Sequence, residues 1–449
     1  MEKENKMGVM PIKKLILTMS LPMMASMLVQ ALYNVVDSIY VARLGEDALT
    51  SVALAFPLQN LMIAFGTGTA VGVNAILSKS LGEKRFDQVN QSANTSLFLT
   101  IGNSLLFLFI GLFLAQPFLS GQTNVPYIVE NGTAYLRIVN CISFGLFFSM
   151  MFEKLLQSTG QSIYSMYTQA TGAIINIVLD PVLIFGMFGL PKFGVAGAAI
   201  ATVIGQIVAA SLGLYFNLTK NHEIVLSVKE ILKPNLEMIK RIYKIGIPSI
   251  LMMSIGSLMN FMMNKILITF STTANAVFGV YFKLQSFFFM PIFGLNSGVV
   301  PVLAYNYGAK RKDRINGSLK FALVLAIGVM SVGTIVMNVF PETLLKLFKA
   351  SDAMLEIGIP ALRIISLQFP IAAASIILGS TFQAFGKGIY SLITSVARQI
   401  VILIPVAWLL SLTGNINNVW FSFLIAEAVS LMVSLYLFRR LYRNYIEQI

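Results

Sequence analysis

The sequence predicts an all-α polytopic membrane protein, and three observations carry that prediction. Hydrophobic residues make up 56% of the 449 residues and charged residues only 11%, whereas about a quarter of a soluble chain is charged. The apolar residues form unbroken runs such as 97–115 and 321–339, long enough to cross a bilayer as a helix of about 20 residues. Residue-by-residue alternation, which is typical of outer-membrane barrels, does not recur over enough segments to predict one.

Twelve apolar segments are separated by short polar loops. The predicted spans are residues 15–41, 48–78, 90–116, 130–157, 162–187, 194–219, 242–270, 274–305, 316–341, 354–382, 388–411 and 417–438. Of the 32 lysines and arginines, 22 fall in the tails and loops on one side of this topology and four on the other. By the positive-inside rule both termini are predicted to lie in the cytoplasm. The same bias accounts for the net charge of +13, so no nucleic-acid partner is predicted.

The second half of the chain repeats the first at an ungapped offset of 226 residues. The matching pairs include Lys14 and Lys240, Pro22 and Pro248, Asn34 and Asn260, Gln59 and Gln285, Gly68 and Gly294, and Gly72 and Gly298. The offset carries six spans onto six spans, so the copies are parallel repeats related by an axis along the membrane normal. Two facing lobes with a cavity between them and transport by alternating access are the architecture that we expect.

The predicted division follows from this repeat. It comprises a cytoplasmic N-tail (1–14), an N-terminal six-helix lobe (15–219), a cytoplasmic linker (220–241), a C-terminal six-helix lobe (242–438) and a cytoplasmic C-tail (439–449). Prolines inside spans predict kinks, and glycine-rich stretches such as 66–74 and 294–300 predict close helix packing.

Two acidic residues fall inside apolar spans of the first lobe. An ionisable group at the bilayer centre costs roughly 2.5–3.5 kcal/mol on insertion scales, so each requires a reason. Asp37 lies three residues after Asn34, and Asp180 lies four residues after Asn176, so each acid shares a helix face with an amide. Span 6 brings Thr202 to a similar depth, and we expect these five residues to form one polar cluster.

Two carboxylates in one low-dielectric site cannot both stay ionised cheaply, so the pair binds and releases protons as a unit. Pro181 follows Asp180 directly and weakens the helix ladder there, which predicts a place where the helix bends as the charge changes. A purely structural role, with Asp180 at a local kink and Asp37 as a hydrogen-bonding residue, is the alternative. The repeat places Met263 and Val406 at the positions that correspond to Asp37 and Asp180, so the two lobes are expected to do different work.

The remaining membrane charges allow two interpretations each. Glu153 and Gln157 lie near the inner end of span 4, and Arg398 and Glu427 fall in the middle of spans 11 and 12. A structural role is the first interpretation of these residues, with Arg398 and Glu427 as a buried pair. Gating or substrate contact is the second.

Several stretches together resemble the multidrug and toxic compound extrusion (MATE) family, most closely its bacterial MepA-type efflux pumps. The stretches are SLP (20–22), NVVDSIYVARLG (34–45), NIVLDPVLIFG (176–186), GVAGAAIAT (194–202), KIGIPS (244–249) and GVVPVLAYNYGAKR (298–311). The resemblance implies twelve helices in two lobes and export of cationic, lipophilic drugs against H⁺ or Na⁺. It also implies that Asp37, Asp180, Asn34 and Asn176 form the cation-coupling site.

The sequence departs from the Na⁺-coupled NorM-type members, which carry a Glu in helix 7 and an Asp in helix 10. The corresponding stretches here, 250–263 and 368–383, contain no acid. The departure favours protons bound by the first-lobe pair, although the carboxylate oxygens of Asp37 and Asp180, with the amide oxygens of the neighbouring asparagines, could coordinate Na⁺. No thiolate metal site is predicted from the single cysteine.

The function predicted from all of this is secondary active multidrug export across the bacterial cytoplasmic membrane, and hence drug resistance. Its partners would be lipophilic cationic small molecules and the lipid bilayer, with no cofactor other than the coupling ion and no obligate protein partner. A lipid-linked oligosaccharide flippase is the alternative, because the wider superfamily shares the two-lobe plan. An enzyme is not predicted, since the single histidine, His222, lies outside the spans.

Overall fold

A computed structural model describes residues 4–449, and all the regular secondary structure in that range is helical. The helices are α1 (Lys6–Val9), α2 (Ile12–Ala42), α3 (Glu46–Gly82), α4 (Phe86–Phe113), α5 (Ala115–Ser120), α6 (Pro126–Cys141), α7 (Phe144–Ser158), α8 (Ser162–Phe185), α9 (Val195–Thr219), α10 (Val228–Ile231), α11 (Leu236–Leu267), α12 (Thr272–Gly308), α13 (Lys312–Val339), α14 (Pro341–Lys346), α15 (Asp352–Ser366), α16 (Phe369–Ala384), α17 (Gly388–Val396), α18 (Ile404–Ser411) and α19 (Ile416–Leu441). A 3₁₀ turn covers Met187–Gly189, and π-helical segments cover Ala397–Leu403 and Tyr442–Ile446.

Within the described residues, ten helices are long and apolar enough to cross a membrane, and two bent helix pairs raise the number to twelve. The all-α polytopic fold predicted from the sequence is therefore confirmed. The first three residues of the predicted N-tail (1–14) lie outside the described residues, and the tail also contains α1 and the start of α2.

Two of the predicted spans are broken rather than continuous. The α6–α7 pair and the α15–α16 pair each bend by 46°, and the 226-residue offset places the two breaks within two residues of each other. In the second copy Pro370 lies in the first turn of α16. A proline there lacks the N–H that would continue the preceding helix, which explains why α15 cannot run straight on.

The eleventh predicted span, 388–411, is not a uniform α-helix. Its middle, Ala397–Leu403, is π-helical and joins α17 to α18. Short π segments are rare and commonly occur at functional sites. This one contains Arg398, one of the charges that the sequence places inside the membrane.

The described chain divides into two compact units, which correspond closely to the two repeats. Unit 1 is Ala25–Ile247, and unit 2 comprises Glu4–Met24 and Pro248–Ile449. The boundaries fall near Pro22 of α2 and at Pro248 of α11, so each of these helices is divided where proline removes a backbone hydrogen bond. The division that the sequence predicts, with lobes at 15–219 and 242–438, stays a prediction.

Glycines allow close helix packing at the same repeat positions in both units. In unit 1 a Cβ at Gly72 would clash with the carbonyl oxygen of Ile242. In unit 2 a Cβ at Gly298 would lie 2.8 Å from the carbonyl oxygen of Met19. Only a residue without a side chain permits such contacts, and this explains the glycine-rich stretches in the sequence.

In unit 2, the carboxyl end of α1 accepts hydrogen bonds from the end of α12 and the start of α13. The side chain of Asn306 donates to the carbonyl of Met7 at 3.1 Å. Arg314 donates to the carbonyls of Met7 and Met10 at 3.0 and 2.8 Å. These donors satisfy carbonyls that the short helix leaves without partners.

Candidate functional site

The two membrane acids of unit 1 come together between α2 and α8. Asp37 is partly buried and Asp180 is completely buried. Their carboxyl groups are close enough to share a hydrogen bond. The structure therefore brings together the two residues on which the predicted site depends.

Close contact between α8 and α9 positions the amide and the hydroxyl of this site. A Cβ at Gly205 of α9 would lie 2.7 Å from the carbonyl oxygen of Gly172 of α8. Because the glycines let the helices approach so closely, Asn176, one turn further along α8, reaches Thr202. Both side chains are buried, with 3% and 6% of their surface exposed.

Asn176 links Asp180 to Thr202. With its amide oriented to satisfy all its neighbours, the nitrogen donates to Oδ2 of Asp180 at 3.2 Å. Its oxygen accepts from the hydroxyl of Thr202 at 3.2 Å and from the main-chain N–H of the same residue at 3.0 Å. This orientation leaves oxygen atoms of Asp180 and Asp37 as the free acceptors of the cluster.

Each carboxyl group has one oxygen without a partner. Oδ1 of Asp37 and Oδ1 of Asp180 are both buried, and no described residue donates a hydrogen bond to either. The groups that act electrostatically on these two acids, within residues 4–449, include no basic side chain. Buried carboxylate oxygens without donors are costly, and a bound proton or small cation would remove that cost.

Three polar residues near the acids were not predicted from the sequence. Both carboxylates act electrostatically on the phenol groups of Tyr33 and Tyr135. The phenol of Tyr135 donates a long hydrogen bond to Oε1 of Gln59 at 3.5 Å. Gln59 was visible in the repeat as the counterpart of Gln285, whereas nothing in the sequence distinguishes the two tyrosines from ordinary aromatic residues in a membrane helix.

A second polar group lies two helical turns along α2 and α8 from this cluster. The hydroxyl of Ser26 donates to Oε1 of Gln169, and Nε2 of Gln169 donates to Oε1 of Gln30 at 2.8 Å. Ser26 is 1% exposed. Hydrogen-bonding side chains therefore continue along the contact between α2 and α8, beyond the residues predicted from the sequence.

Asn34 is the one predicted member of the cluster that the structure places differently. Asn34 is exposed, and its main-chain carbonyl accepts a hydrogen bond from the hydroxyl of Ser38 at 2.9 Å. An exposed amide on α2 does not share the buried environment of Asn176. A role for Asn34 in ion coupling stays a prediction.

Glu153 and Gln157 lie on α7, also in unit 1. Nζ of Lys154 donates to Oε1 of Gln157 at 2.7 Å, and Nε2 of Gln157 donates to the hydroxyl of Ser165 at 2.9 Å. Glu153 and Lys154 act on each other electrostatically. The structure connects Gln157 to α8 through these bonds, and gating or substrate contact by Glu153 and Gln157 stays a prediction.

Arg398 and Glu427 form the pair that the sequence suggested in unit 2. Nη1 of Arg398 lies 3.2 Å from Oε2 of Glu427. The side chain of Glu427 is 3% exposed and that of Arg398 is 28% exposed. A part in gating or substrate contact stays a prediction for both.

Comparisons with known proteins agree with this architecture. The MatE family profile matches residues 22–182 and 248–409, one match in each repeat. The chain is 27% identical over 425 residues to the multidrug export protein MepA of Staphylococcus haemolyticus, covering 94% of this chain and 92% of that protein.

Solved structures agree over the full length. A MATE transporter in complex with MaL6 superposes with a TM-score of 0.93 at 25% identity, covering 100% of both chains. The outward-facing conformation of a multidrug resistance MATE family transporter of the MOP superfamily gives a TM-score of 0.92 at 25% identity, covering 100% of this chain and 99% of that one. The profile matches well over half of the sequence, and the chain belongs to the MATE family of membrane transporters.

Proposed function

We propose that this protein is a secondary active exporter of lipophilic cationic drugs, driven by H⁺ or Na⁺ that binds at Asp37 and Asp180. The related MepA protein is a multidrug export protein by name, and the family assignment makes this chain a transporter. Alternating access, the coupling ion and the cargo belong to the proposal.

The pair of facing carboxyl groups is the observation that carries the proposal. One oxygen of each lies buried without a donor among the described residues, and Asn176 holds Asp180 from one side. An acid buried in a membrane helix is usually paired with a basic side chain, as Glu427 is. An acid pair without one gains stability when a cation or proton arrives.

Release of the ion changes the charge of a buried site, and α8 offers a place to respond. Pro181 follows Asp180 within a helix that continues to Phe185. Because proline has no N–H, the carbonyl of Ile177 loses its usual partner, and the helix is weakened next to the titrating group. Bending at this position would couple ion binding to the change of access.

The same site could hold Na⁺ instead of a proton. Sodium would be bound by carboxylate oxygens of Asp37 and Asp180, together with the amide oxygen of Asn176 or the hydroxyl of Thr202, since hard cations prefer oxygen ligands. The distribution of lysine and arginine supports an orientation with both termini in the cytoplasm. The bacterial cytoplasmic membrane is then the proposed location.

A lipid-linked oligosaccharide flippase is less well supported. Such a protein would need a basic cavity to meet a pyrophosphate. Arg398, a basic residue inside the membrane segment of the second repeat, is paired with Glu427 at 3.2 Å. The acidic site of unit 1 suits a cation.

The test is transport of ethidium by the purified protein in proteoliposomes, with a pH gradient and a Na⁺ gradient imposed separately. We expect one of the two gradients to drive uphill ethidium movement. When neither gradient is imposed, we expect no uphill movement. Asp37→Asn should abolish this movement. Asp47→Asn, which changes an exposed acid in the first turn of α3, is the matched control and should transport normally.

A rate of ethidium transport that depends on neither gradient would contradict ion coupling. Full activity of Asp37→Asn, with normal insertion in the membrane, would remove the acid pair from the mechanism.

A further inference from the structure

Unit 2 contains a cavity of its own, with a volume of about 180 Å³. Aromatic rings form much of its wall, among them Phe289, Phe293 and Phe423. The polar part of its wall includes Arg398 and Glu427. All the residues that line the cavity belong to unit 2, whereas Asp37 and Asp180 belong to unit 1.

The ion pair in this cavity is only half satisfied. Oε2 of Glu427 accepts from Arg398, while Oε1 is buried and receives no hydrogen bond from the described residues. Glu427 is 2% exposed. A pair that served only to hold two helices together would be expected to use both oxygens, because a buried acceptor without a donor is costly.

The π-helical segment brings two polar side chains to the same wall. Arg398 and Gln399 follow each other in the chain, and both line the cavity together with Leu403. A π turn inserts an extra residue into the helix and changes the direction of its side chains, which is why such segments are common at functional sites. Gln368 adds a third polar group and donates to the phenol oxygen of Tyr281 at 3.1 Å.

The 226-residue offset relates residues of this cavity to residues near the acid pair of unit 1. Met259 and Gln285 line the cavity, and the 226-residue offset makes them the counterparts of Tyr33 and Gln59, which lie near Asp37 and Asp180. Arg398 and Glu427 correspond to Gly172 and Ala201. In the first copy Gly172 allows the close approach of α8 and α9, whereas in the second copy Arg398 and Glu427 line an open space.

We propose that the cavity of unit 2 is a ligand site for a single-ring aromatic molecule that carries both an amine and a carboxylate. The ring would contact the phenylalanine walls. The amine would donate to the carboxylate of Glu427, and the carboxylate of the ligand would accept from N–H groups of Arg398 that the pair leaves available. A cavity of roughly 150 Å³ in another protein accommodates benzene, which sets the ring size.

The charge balance of the cavity selects this class of ligand. The charges of Arg398 and Glu427 sum to zero. A ligand with a single charge would pair with one of these side chains and leave the other without compensation. A zwitterion can pair with both. The site of unit 1, with two acids and no base among its described partners, has the opposite preference and favours cations.

The test measures binding to the purified full-length protein by titration calorimetry, with three probes that share a phenyl ring. L-Phenylalanine is the zwitterion, 2-phenylethylamine lacks the carboxylate, and 3-phenylpropionate lacks the amine. We expect L-phenylalanine to bind at least about 10-fold more tightly than either analogue, because a site built to pair two groups rejects a ligand that lacks one.

A double variant locates the site. Arg398→Gln with Glu427→Gln removes both charges together, so neither is left alone in the membrane, and it should lose the preference for L-phenylalanine. Asp37→Asn with Asp180→Asn, which changes only unit 1, should keep it. The three probes test the wild-type protein directly, so the result stands even if the first double variant does not fold.

Equal binding of the three probes, or no binding of L-phenylalanine, would overturn the proposal. Retention of the preference in a folded Arg398→Gln, Glu427→Gln protein would also overturn it, as would its loss in the unit 1 double variant. Binding is measured without any ion gradient, so failure here leaves ion coupling at Asp37 and Asp180 untouched.

Discussion

Asp180 in unit 1 and Glu427 in unit 2 are both buried carboxylates within membrane-spanning helices, yet their surroundings differ. Asp180 faces a second acid, whereas Glu427 faces an arginine at 3.2 Å. Asp180 lies in the fifth membrane helix of its repeat and Glu427 in the sixth. The duplicated scaffold therefore supports two electrostatic arrangements, one in which two acids face each other and one in which an acid is paired with an arginine.

This difference shows that the two repeats share their helix packing but not the side chains at every buried position. Packing is preserved, since Gly72 and Gly298 allow a close backbone approach at equivalent positions. The position that holds Asp180 in the first copy holds Val406 in the second. Close packing depends on both helices at once and resists change, whereas a side chain of similar size at a single position can change without moving the helices around it.

The largest expected effect distinguishes the two carboxylates directly. Asp180→Asn should abolish gradient-driven ethidium transport, because an amide at this position cannot be ionised and therefore cannot take up and release a proton. The double variant Arg398→Gln, Glu427→Gln should retain it, since this pair lies outside the proposed ion-coupling pair and neither of its charges is then left alone in the membrane. The measurement is initial uptake in proteoliposomes with matched protein content. Equal loss in both variants would contradict the assignment of different roles.

The second prediction concerns the stability of unit 2. Arg398→Gln alone should destabilise the protein by about 3 kcal/mol, because it leaves Glu427 as an uncompensated buried charge. Adding Glu427→Gln should recover most of that loss. Thermal unfolding in detergent, followed for both variants and for the wild-type protein, gives the comparison. A single variant as stable as the wild type would mean that the pair is already exposed to water.

The third prediction tests whether the two repeats share their packing. Gly72→Ala and Gly298→Ala should each cost about 1–3 kcal/mol, since the added methyl group forces neighbouring backbone apart. Gly102→Ala is the control, because a Cβ at Gly102 meets nothing within 4 Å. It should stabilise α4 by about 0.5–1 kcal/mol. Free energies of unfolding that do not separate Gly72 and Gly298 from Gly102 would refute the packing argument.

The smallest effect is expected at Thr202. Thr202→Val removes one hydrogen bond to Asn176, which is worth about 1 kcal/mol, so ion-coupled transport should slow several-fold without being lost. Thr219→Val is a matched control in the same helix, because its exposed hydroxyl donates to the carbonyl of Tyr215, one turn earlier. Initial rates of ethidium transport would show the difference, and equal rates for the two variants would exclude a positioning role for Thr202.

The acid pair illustrates which residues of the candidate site the sequence can predict. Asp37 and Asp180 stand out because charge is costly in an apolar span, and the spacing of Asn176 from Asp180 predicts a shared helix face. Asn34 has similar spacing from Asp37 but is exposed, since periodicity gives relative position on a helix and not the direction in which that face points. Tyr33 and Tyr135 carry no such signal, because aromatic residues are common throughout the spans.

Length, apolar runs and the 226-residue repeat by themselves determined that this chain is a duplicated bundle of membrane helices, because the bilayer fixes span length and requires every backbone group to be bonded within the helix. Only the tertiary structure decided that spans 4 and 10 are broken, that Ala397–Leu403 is π-helical, and that Oε1 of Glu427 lies buried without a donor from residues 4–449. Those features depend on contacts between helices that are distant in sequence, and the local sequence pattern does not predict such contacts.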